Sequence, residues 1–383
     1  MTAPMHECWA VVAPGFEKVA AQELVALGFV VDATEVGGVT FRTDDAGLLR
    51  ANRWLRSATR VLVRIARFKV TAFHELERLA KGVAWRDFVR DGGAASLRVT
   101  CKKSRLYHSD AVAERLATAI ARQVNGVRID GTTKESDEDD APDGEAQSFV
   151  VRLQHDVCTI NADSSGALLH RRGYRLATAK APMRETLAAG LLLALGYDGT
   201  EALIDPMCGS GTIPIEAALL ARGIAPGARR SFACEQWPSV PPSAFDGAKR
   251  DSAPRADRAP ISASDRDAGA VEAAAANAAR AGVADAITIK QQALSAMTPT
   301  DARPLVLVNP PYGARVGEAH ALRDLYASLG NVVRAACPGG RLAILSAESS
   351  LDAQVKLPFR EVLRFKNGGI PVRLLEARIP TRG

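Results

Sequence analysis

The sequence predicts a chain of two parts. Small mixed α+β layers run to about residue 165, followed by an α/β region with a mostly parallel sheet and an antiparallel C-terminal edge. Three observations predict this. Short strands and helices alternate in the first part with no nucleotide-type loop between them. Past residue 180 the pattern becomes repeated strand–loop–helix units. Finally, two alternating runs surround Asn367-Gly368-Gly369, a strong hairpin signal.

Length and composition set the frame. At 383 residues, 47% hydrophobic and 24% charged, the chain has material for two or three globular domains. It lacks the long apolar run of a membrane span, and the first residues lack a basic start followed by an apolar core. Six cysteines are scattered without a C-x-x-C pair, which argues against a zinc cluster or a disulfide framework. A cytoplasmic location is the expectation. Charge is uneven: residues 50–128 hold eighteen Lys/Arg against six Asp/Glu, a net +12, whereas 130–145 hold eight acids and one Lys, a net −7. The basic segment suits a polyanion and equally suits an arginine-rich solvated surface. The acidic stretch, ESDEDDAPDGE, reads as a solvated loop.

In chain order, CWAVVA reads as a strand, and FEKVAAQELVAL as a helix closed by Gly28. FVVDATEVGGVTFRT gives strand, turn and strand, followed by the helix AGLLRANRWLRSA and the strand RVLVRIARFKV. LRVTC is a strand, DAVAERLATAIARQV a helix, and SFVVRLQHDVCTINAD two strands. His74, His108 and His155 lie far apart in this half and form no ligand or nucleophile–base pattern. The second half opens with the helix PMRETLAAGLLLALG, the strand EALID, the loop PMCGSG and the helix TIPIEAALLA. Residues 222–260 read as an irregular insertion. A strand ending at Asp265, an Ala-rich helix, ITIKQQ, PLVLV, the helix LRDLYASLGNVVRAA and the strand RLAILS follow.

Three elements carry chemistry. Asp205-Pro-Met-Cys-Gly-Ser-Gly-Thr212 lies between an apolar strand and a helix. Gly209 and Gly211 allow a sharp turn and close ligand approach, Asp205 suits a cationic amino group, and Cys208 is a small packing residue. Without the terminal G-K-[ST] of a phosphate loop, nucleotide hydrolysis is disfavoured. The second element is an acid for ribose hydroxyls. Glu235 and Asp265 compete, and Asp265 is preferred because a helix containing Asn277 follows it directly. Asp267 could assist, and either acid could also cap that helix. The third element is Asn309-Pro310-Pro311-Tyr312 at the end of a buried strand. The prolines stop the strand and remove two N–H donors, which leaves the Asn309 oxygen and a main-chain carbonyl as acceptors. Acceptors for both protons of an exocyclic base amine free its lone pair for attack on a methyl group, and Tyr312 offers a stacking face.

Together these residues resemble a family, the THUMP-domain class I RNA methyltransferases, particularly the bacterial large-subunit rRNA guanine-N2 methyltransferases. The resemblance includes PGFEKVAAQEL, SRLYHSDAVAERLATAI, LLHRRGYR, APMRETLAAGLLLALGY, DPMCGSGTIPIEAALLARGIAPG, NPPYGARVG and the KNGG hairpin. It implies a ferredoxin-like domain (1–55), a THUMP RNA-binding domain (56–165) and a Rossmann-like methyltransferase domain (166–383) that uses S-adenosylmethionine. By motif, Asp205, Pro206, Met207, Cys208, Gly209, Gly211 and Thr212 line the cofactor site, Asp265 and Asp267 serve its ribose, and Asn309 to Tyr312 receive the base. Where the family commonly has an acid near the adenine, this chain has Gln291-Gln292, and an amide oxygen at Gln291 can accept the adenine amine's hydrogen bond. Lys102, Lys103, Arg105, Arg171 and Arg172 are the expected RNA contacts. No metal is expected, because sulfonium methyl transfer already has a neutral leaving group. Guanine in tRNA, adenine-N6 in DNA, and a non-catalytic RNA-binding assembly factor are the rival readings.

Overall fold

The computed structural model describes residues 5–133, 146–175, 183–248, 258–300, 303–311 and 319–381. The chain divides into two compact units. One comprises 1–12, 24–169 and 230–250, and the other 13–23, 170–229 and 251–383. Among the described residues no helix is long and apolar enough to cross a membrane.

The first unit is built on one eight-stranded sheet of order β2-β3-β1-β4-β8-β7-β5-β6. Its first portion runs β1 (His6–Val12), α1 (Glu17–Ala26, which spans the division), β2 (Val30–Glu35), β3 (Gly38–Thr43), α2 (Asp45–Trp54) and β4 (Ala58–Lys69). That succession, with the order β2-β3-β1-β4, is the ferredoxin-like arrangement expected from the sequence. The second portion runs α3 (Phe73–Ala80), β5 (Ala94–Lys102), α4 (Ser109–Gln123), β6 (Arg128–Thr133), β7 (Gln147–Gln154) and β8 (Val157–Asp163). β4 is twelve residues long and pairs antiparallel with β1 on one side and β8 on the other, so the two portions share a sheet. Strict alternation in β7 buries Phe149, Val151 and Leu153 and turns Val150, Arg152 and Gln154 outward.

Residues 230–250, read as part of an irregular insertion, belong to this unit. Two short 3-10 turns, Ala233–Gln236 and Pro242–Phe245, present Phe232, Cys234, Trp237 and Phe245 as buried anchors. Trp237 meets Phe88 edge-on at 4.9 Å, and its Nε1 donates to Gln147 Oε1 at 2.7 Å.

The basic segment is only partly a surface. Arg53, Arg56 and Arg60 are buried, and Arg60 pairs with Asp163. The acidic stretch at 135–145 lies outside the described residues.

The second unit contains α5 (Glu185–Ala194), β9 (Leu203–Asp205), α6 (Thr212–Ala221), β10 (Ile261–Asp265), α7 (Ala268–Ala281) and β11 (Ile287–Gln291). It continues with β12 (Leu305–Val308), α8 (Ala319–Ala336), β13 (Arg341–Ser346), α9 (Ser349–Val355), β14 (Arg360–Asn367) and β15 (Ile370–Arg378). The seven strands lie in the order β11-β10-β9-β12-β13-β15-β14. β9 to β13 are parallel neighbours, and β15 and β14 form the antiparallel edge, with Asn367 opposite Ile370 across the hairpin. This is the Rossmann-like sheet the sequence predicts. β12 is buried along its length and packs against Tyr326, Leu329 and Val333 of α8, which explains its four consecutive apolar residues.

Candidate active site

The sheet order reverses at β9, because the chain moves outward through β10 and β11 on one side and through β12 and β13 on the other. Such a switch point opens a crevice at the carboxyl ends of the central strands. Parallel pairing sets Asp205 beside Ala263, Asp265 beside Gln291, and Leu305 beside Leu203. Asp205, Asp265 and Gln291 therefore end their strands at the same edge, where Asn309 follows β12.

The loop after β9 is fixed by its own hydrogen bonds. Met207 N donates to Asp205 Oδ1 at 3.1 Å, Cys208 N to the Ser264 carbonyl at 3.0 Å, and Gly209 N to Asp265 Oδ2 at 2.9 Å. Asn277 Nδ2, from α7, donates to the Ser210 carbonyl at 2.9 Å. Gly211 caps α6 at φ +84°, and a Cβ there would stand 3.0 Å from Ala274 Cβ, so this glycine serves helix packing. Gly209, at φ +53°, has nothing within 4 Å of a built Cβ, so its face is open to a ligand.

Asp205 is 1% exposed, and burial pushes its carboxyl from the ordinary 3.8 up to about 8. The Met207 N–H opposes that shift, and the nearby charge of Asp265 reinforces it. A cationic group placed beside Asp205 would favour the carboxylate form again. Asp265 also accepts from Asp267 N at 3.0 Å, while Asp267 caps α7 by accepting from Ala270 N at 3.1 Å. Asp267 thus performs the capping role that its position suggested. Glu235 lies in the first unit and accepts from Phe232 N at 2.9 Å as a cap of its 3-10 turn. Gln291 is exposed, and its Nε2 donates to the Arg266 carbonyl at 3.3 Å. Burial pushes the Cys208 thiol far up, which fits a packed side chain. Pro206 and Thr212 are buried, and Met207 packs against the core under β12.

Several buried side-chain atoms have no hydrogen-bond partner among the described residues, and Asn309 Oδ1 is the one that directly follows β12. A buried acceptor left unsatisfied costs roughly 1–3 kcal/mol, so a donor brought to this oxygen is stabilising. Pro310 is buried and Pro311 exposed, while Tyr312 lies outside the described residues.

A buried polar group beside the loop was missed from sequence. Glu216 of α6 receives Arg172 Nε at 3.2 Å and Tyr174 Oη at 3.1 Å. Arg175 Nη2 donates to Thr212 Oγ1 at 2.7 Å, and the same guanidinium faces Glu185 at 3.6 Å. Burial, first among several causes, lifts the Glu185 carboxyl to about 7. The signal was a lone acid in each of two otherwise apolar helices, at the start of α5 and inside α6. Arg172 is correspondingly removed from the RNA-facing set, since it is 4% exposed and committed to Glu216. Lys102, Lys103 and Arg105 are exposed, and Arg171 is half-buried. His74, His108 and His155 remain dispersed on α3, before α4 and in the β7–β8 turn. Among the described residues no group of three His, Cys, Asp or Glu side chains could hold a metal ion.

Against known proteins, residues 172–362 match the family model of the RMKL-like methyltransferase domain, and residues 7–62 match that of the RlmL ferredoxin-like domain. The Synechocystis protein slr0064, an RNA methyltransferase by name, is 33% identical over 378 residues, covering 96% of this chain and 95% of that one. The chain belongs to the RMKL-like methyltransferase family. The ribosomal RNA large subunit methyltransferase K/L of Marinomonas is 33% identical over 94% of this chain, which spans 51% of that longer relative. Among solved structures, SMU.472, a methyltransferase by name, solved with S-adenosylhomocysteine, superposes with a TM-score of 0.83 at 26% identity over the full length of both chains. A predicted N6-adenine-specific DNA methylase from Listeria monocytogenes superposes with a TM-score of 0.82 at 30% identity, covering 97% of this chain and 96% of that one.

S-adenosylmethionine is the cofactor of this methyltransferase. The loop residues fit it: a buried acid at Asp205 for a cationic group, an open backbone at Gly209, and the carboxylate of Asp265 at the end of the neighbouring strand. When bound, it supplies an electrophilic methyl group on a sulfonium with a neutral leaving group.

Proposed function

We propose that this chain methylates the exocyclic N2 amine of guanine in RNA, with large-subunit ribosomal RNA as the substrate. The observation that carries the reading is the buried Asn309 oxygen, which has no partner among the described residues and follows the strand beside the switch point. An exocyclic amine would bring it a donor. Asn309 and the Pro310 carbonyl accept its protons, drawing the nitrogen toward a tetrahedral form with its lone pair free, and Tyr312 stacks the base. Asp205 orients the methionine end of the cofactor, Asp265 its ribose, and Gln291 its adenine. The ribosomal substrate is supported by the names of the K/L relatives. In this reading residues 1–55 and 56–165 form the ferredoxin-like and THUMP parts that grip RNA in the cytoplasm, and 166–383 carry catalysis.

An acceptor pair of this kind serves any exocyclic amine, and the Listeria protein is named for adenine in DNA. Mass mapping of rRNA and tRNA from a deletion strain separates the readings. Loss of one N2-methylguanosine from large-subunit rRNA is expected. Loss from tRNA alone moves the substrate, and intact RNA with lost N6-methyladenine in DNA overturns the proposal.

A further inference from the structure

The Ser210–Gly211 peptide of the loop after β9 is bonded at both ends. Its N–H donates to the Cys208 carbonyl at 2.8 Å, and its carbonyl accepts from Asn277 Nδ2 of α7 at 2.9 Å. Asn277 is fully buried, and its Oδ1 accepts from Arg280 Nη2, which fixes which way round the amide lies. Arg280 stands three residues further along the same helix face, and its Nε donates to the Tyr174 carbonyl at 2.7 Å. Tyr174 is buried in turn, and its Oη donates to Glu216 of α6, which Arg172 also holds.

The residue on the other side of Gly211 is held from the same segment. Arg175 Nη2 donates to Thr212 Oγ1 at 2.7 Å and to the Met183 carbonyl at 2.8 Å. Both neighbours of Gly211 are thereby tied to residues 172–175, a stretch in which the sequence pointed to RNA contact. The need for such ties is physical. Gly209 and Gly211 both have positive φ, and a glycine-flanked peptide rotates readily unless its carbonyl and N–H are both engaged. Only a side chain that donates and accepts at once can bridge a carbonyl to a guanidinium, and an amide does so with one group.

We propose that Asn277 is a positioning residue for methyl transfer: backed by Arg280 and the Tyr174 carbonyl, it holds the Ser210–Gly211 peptide in the orientation that receives S-adenosylmethionine. Asn277 acts through the loop and touches no reacting atom. A loop held in its binding form before the cofactor arrives gives up less conformational freedom when it binds. The proposal rests on the reading that places the cofactor against the glycine loop.

The test compares the full-length wild type with Asn277→Ala, with Gly209→Ala, and with Arg222→Gln at the opposite end of α6 as a control. Calorimetry with S-adenosylhomocysteine should show affinity about three- to tenfold lower in Asn277→Ala and unchanged in Arg222→Gln. In methyl transfer to unmodified large-subunit rRNA, KM for S-adenosylmethionine should rise by the same factor, while kcat at saturating cofactor stays within about twofold. The Gly211 amide of the cofactor-free chain should exchange with solvent roughly tenfold faster in Asn277→Ala, while the amides of β13 keep their wild-type rates. If Asn277→Ala does not fold, Asn277→Asp replaces it: that side chain still accepts from Arg280 but has no donor for Ser210, so affinity should fall by a similar factor. Wild-type affinity or Gly211 exchange in the Asn277 variant, a fall in kcat with unchanged KM, or an equal loss in Arg222→Gln overturns the positioning role. If Gly209→Ala also binds like the wild type, the reading of the loop as the cofactor site falls with it. A wild type inactive on rRNA overturns the substrate reading and leaves affinity and exchange to decide the role of Asn277.

Discussion

At the scale of single residues, the candidate site combines a buried acid, Asp205, with a buried acceptor, Asn309 Oδ1, that has no partner among the described residues. Asp205 is held largely protonated at neutral pH by its burial, with a folded value of about 8 against an ordinary 3.8. A raised folded value means that the native chain keeps a proton the unfolded chain has lost. The contribution to stability is therefore complete below about 4 and disappears as pH rises through about 8. Cofactor binding should run the other way, because a cationic amino group favours the carboxylate. Affinity for S-adenosylmethionine should rise with pH up to about 8, and calorimetry in buffers of differing ionisation heat should detect a proton released on binding at pH 7. Asp205→Asn should abolish that proton release. Equal heats in all buffers with the wild type would place the cofactor's charge elsewhere. Asn309→Ala should lower single-turnover methyl transfer about a hundred- to a thousandfold while leaving melting and cofactor affinity near normal. Asn309→Asp, which still accepts hydrogen bonds, should retain part of the rate. A collapsed melting temperature in Asn309→Ala would assign the residue to strand termination.

At the scale of elements, the strand ends and the glycine loop act as a unit. Asp265 accepts the Gly209 N–H, so Asp265→Ala removes a brace of the loop together with the ribose acceptor proposed above. Its affinity for the cofactor should fall about ten- to a hundredfold, whereas Glu235→Ala, which removes a cap in the other unit, should leave affinity unchanged. Calorimetry on both variants decides this, and the reverse order would mean that β10 does not carry the ribose acid. The two glycines should also separate. Gly211→Ala forces a Cβ against Ala274 in a left-handed conformation and should mainly destabilise the fold, by about 1–3 kcal/mol. Gly209→Ala meets no neighbour and should mainly weaken cofactor binding. Thermal melts and titrations of the pair separate the two outcomes. The sequence made most of these elements legible, because β12 is a bare apolar run, β7 alternates strictly, and Asp265 is followed at once by a helix. It did not reveal α3, β6 or α9, which are short, nor the Arg172–Glu216 pair, whose partners come together only when the segment after residue 170 packs on α6.

At the scale of the whole molecule, chain order and spatial order part company. Residues 230–250 lie within the catalytic half of the sequence yet complete the first unit, through Trp237 and its bond to Gln147. Periodicity could not show this, because the segment holds only two short 3-10 turns and its apolar residues are irregularly spaced. A fragment ending near residue 165 lacks these anchors and should fold less stably than the full chain. Trp237→Ala should lower stability by about 3–5 kcal/mol, read in a denaturant melt, without changing cofactor affinity in the folded state. Net charge was similarly deceptive, since Arg53, Arg56 and Arg60 spend part of the +12 segment inside the core. What bears most directly on the whole account is the chemical identity of the methylated product. Purified chain, labelled S-adenosylmethionine and unmodified large-subunit rRNA should yield label in N2-methylguanosine at a single site after nuclease digestion and mass analysis. Label in N6-methyladenosine, on a ring nitrogen or on ribose, or no label from a folded, cofactor-binding chain, would contradict it.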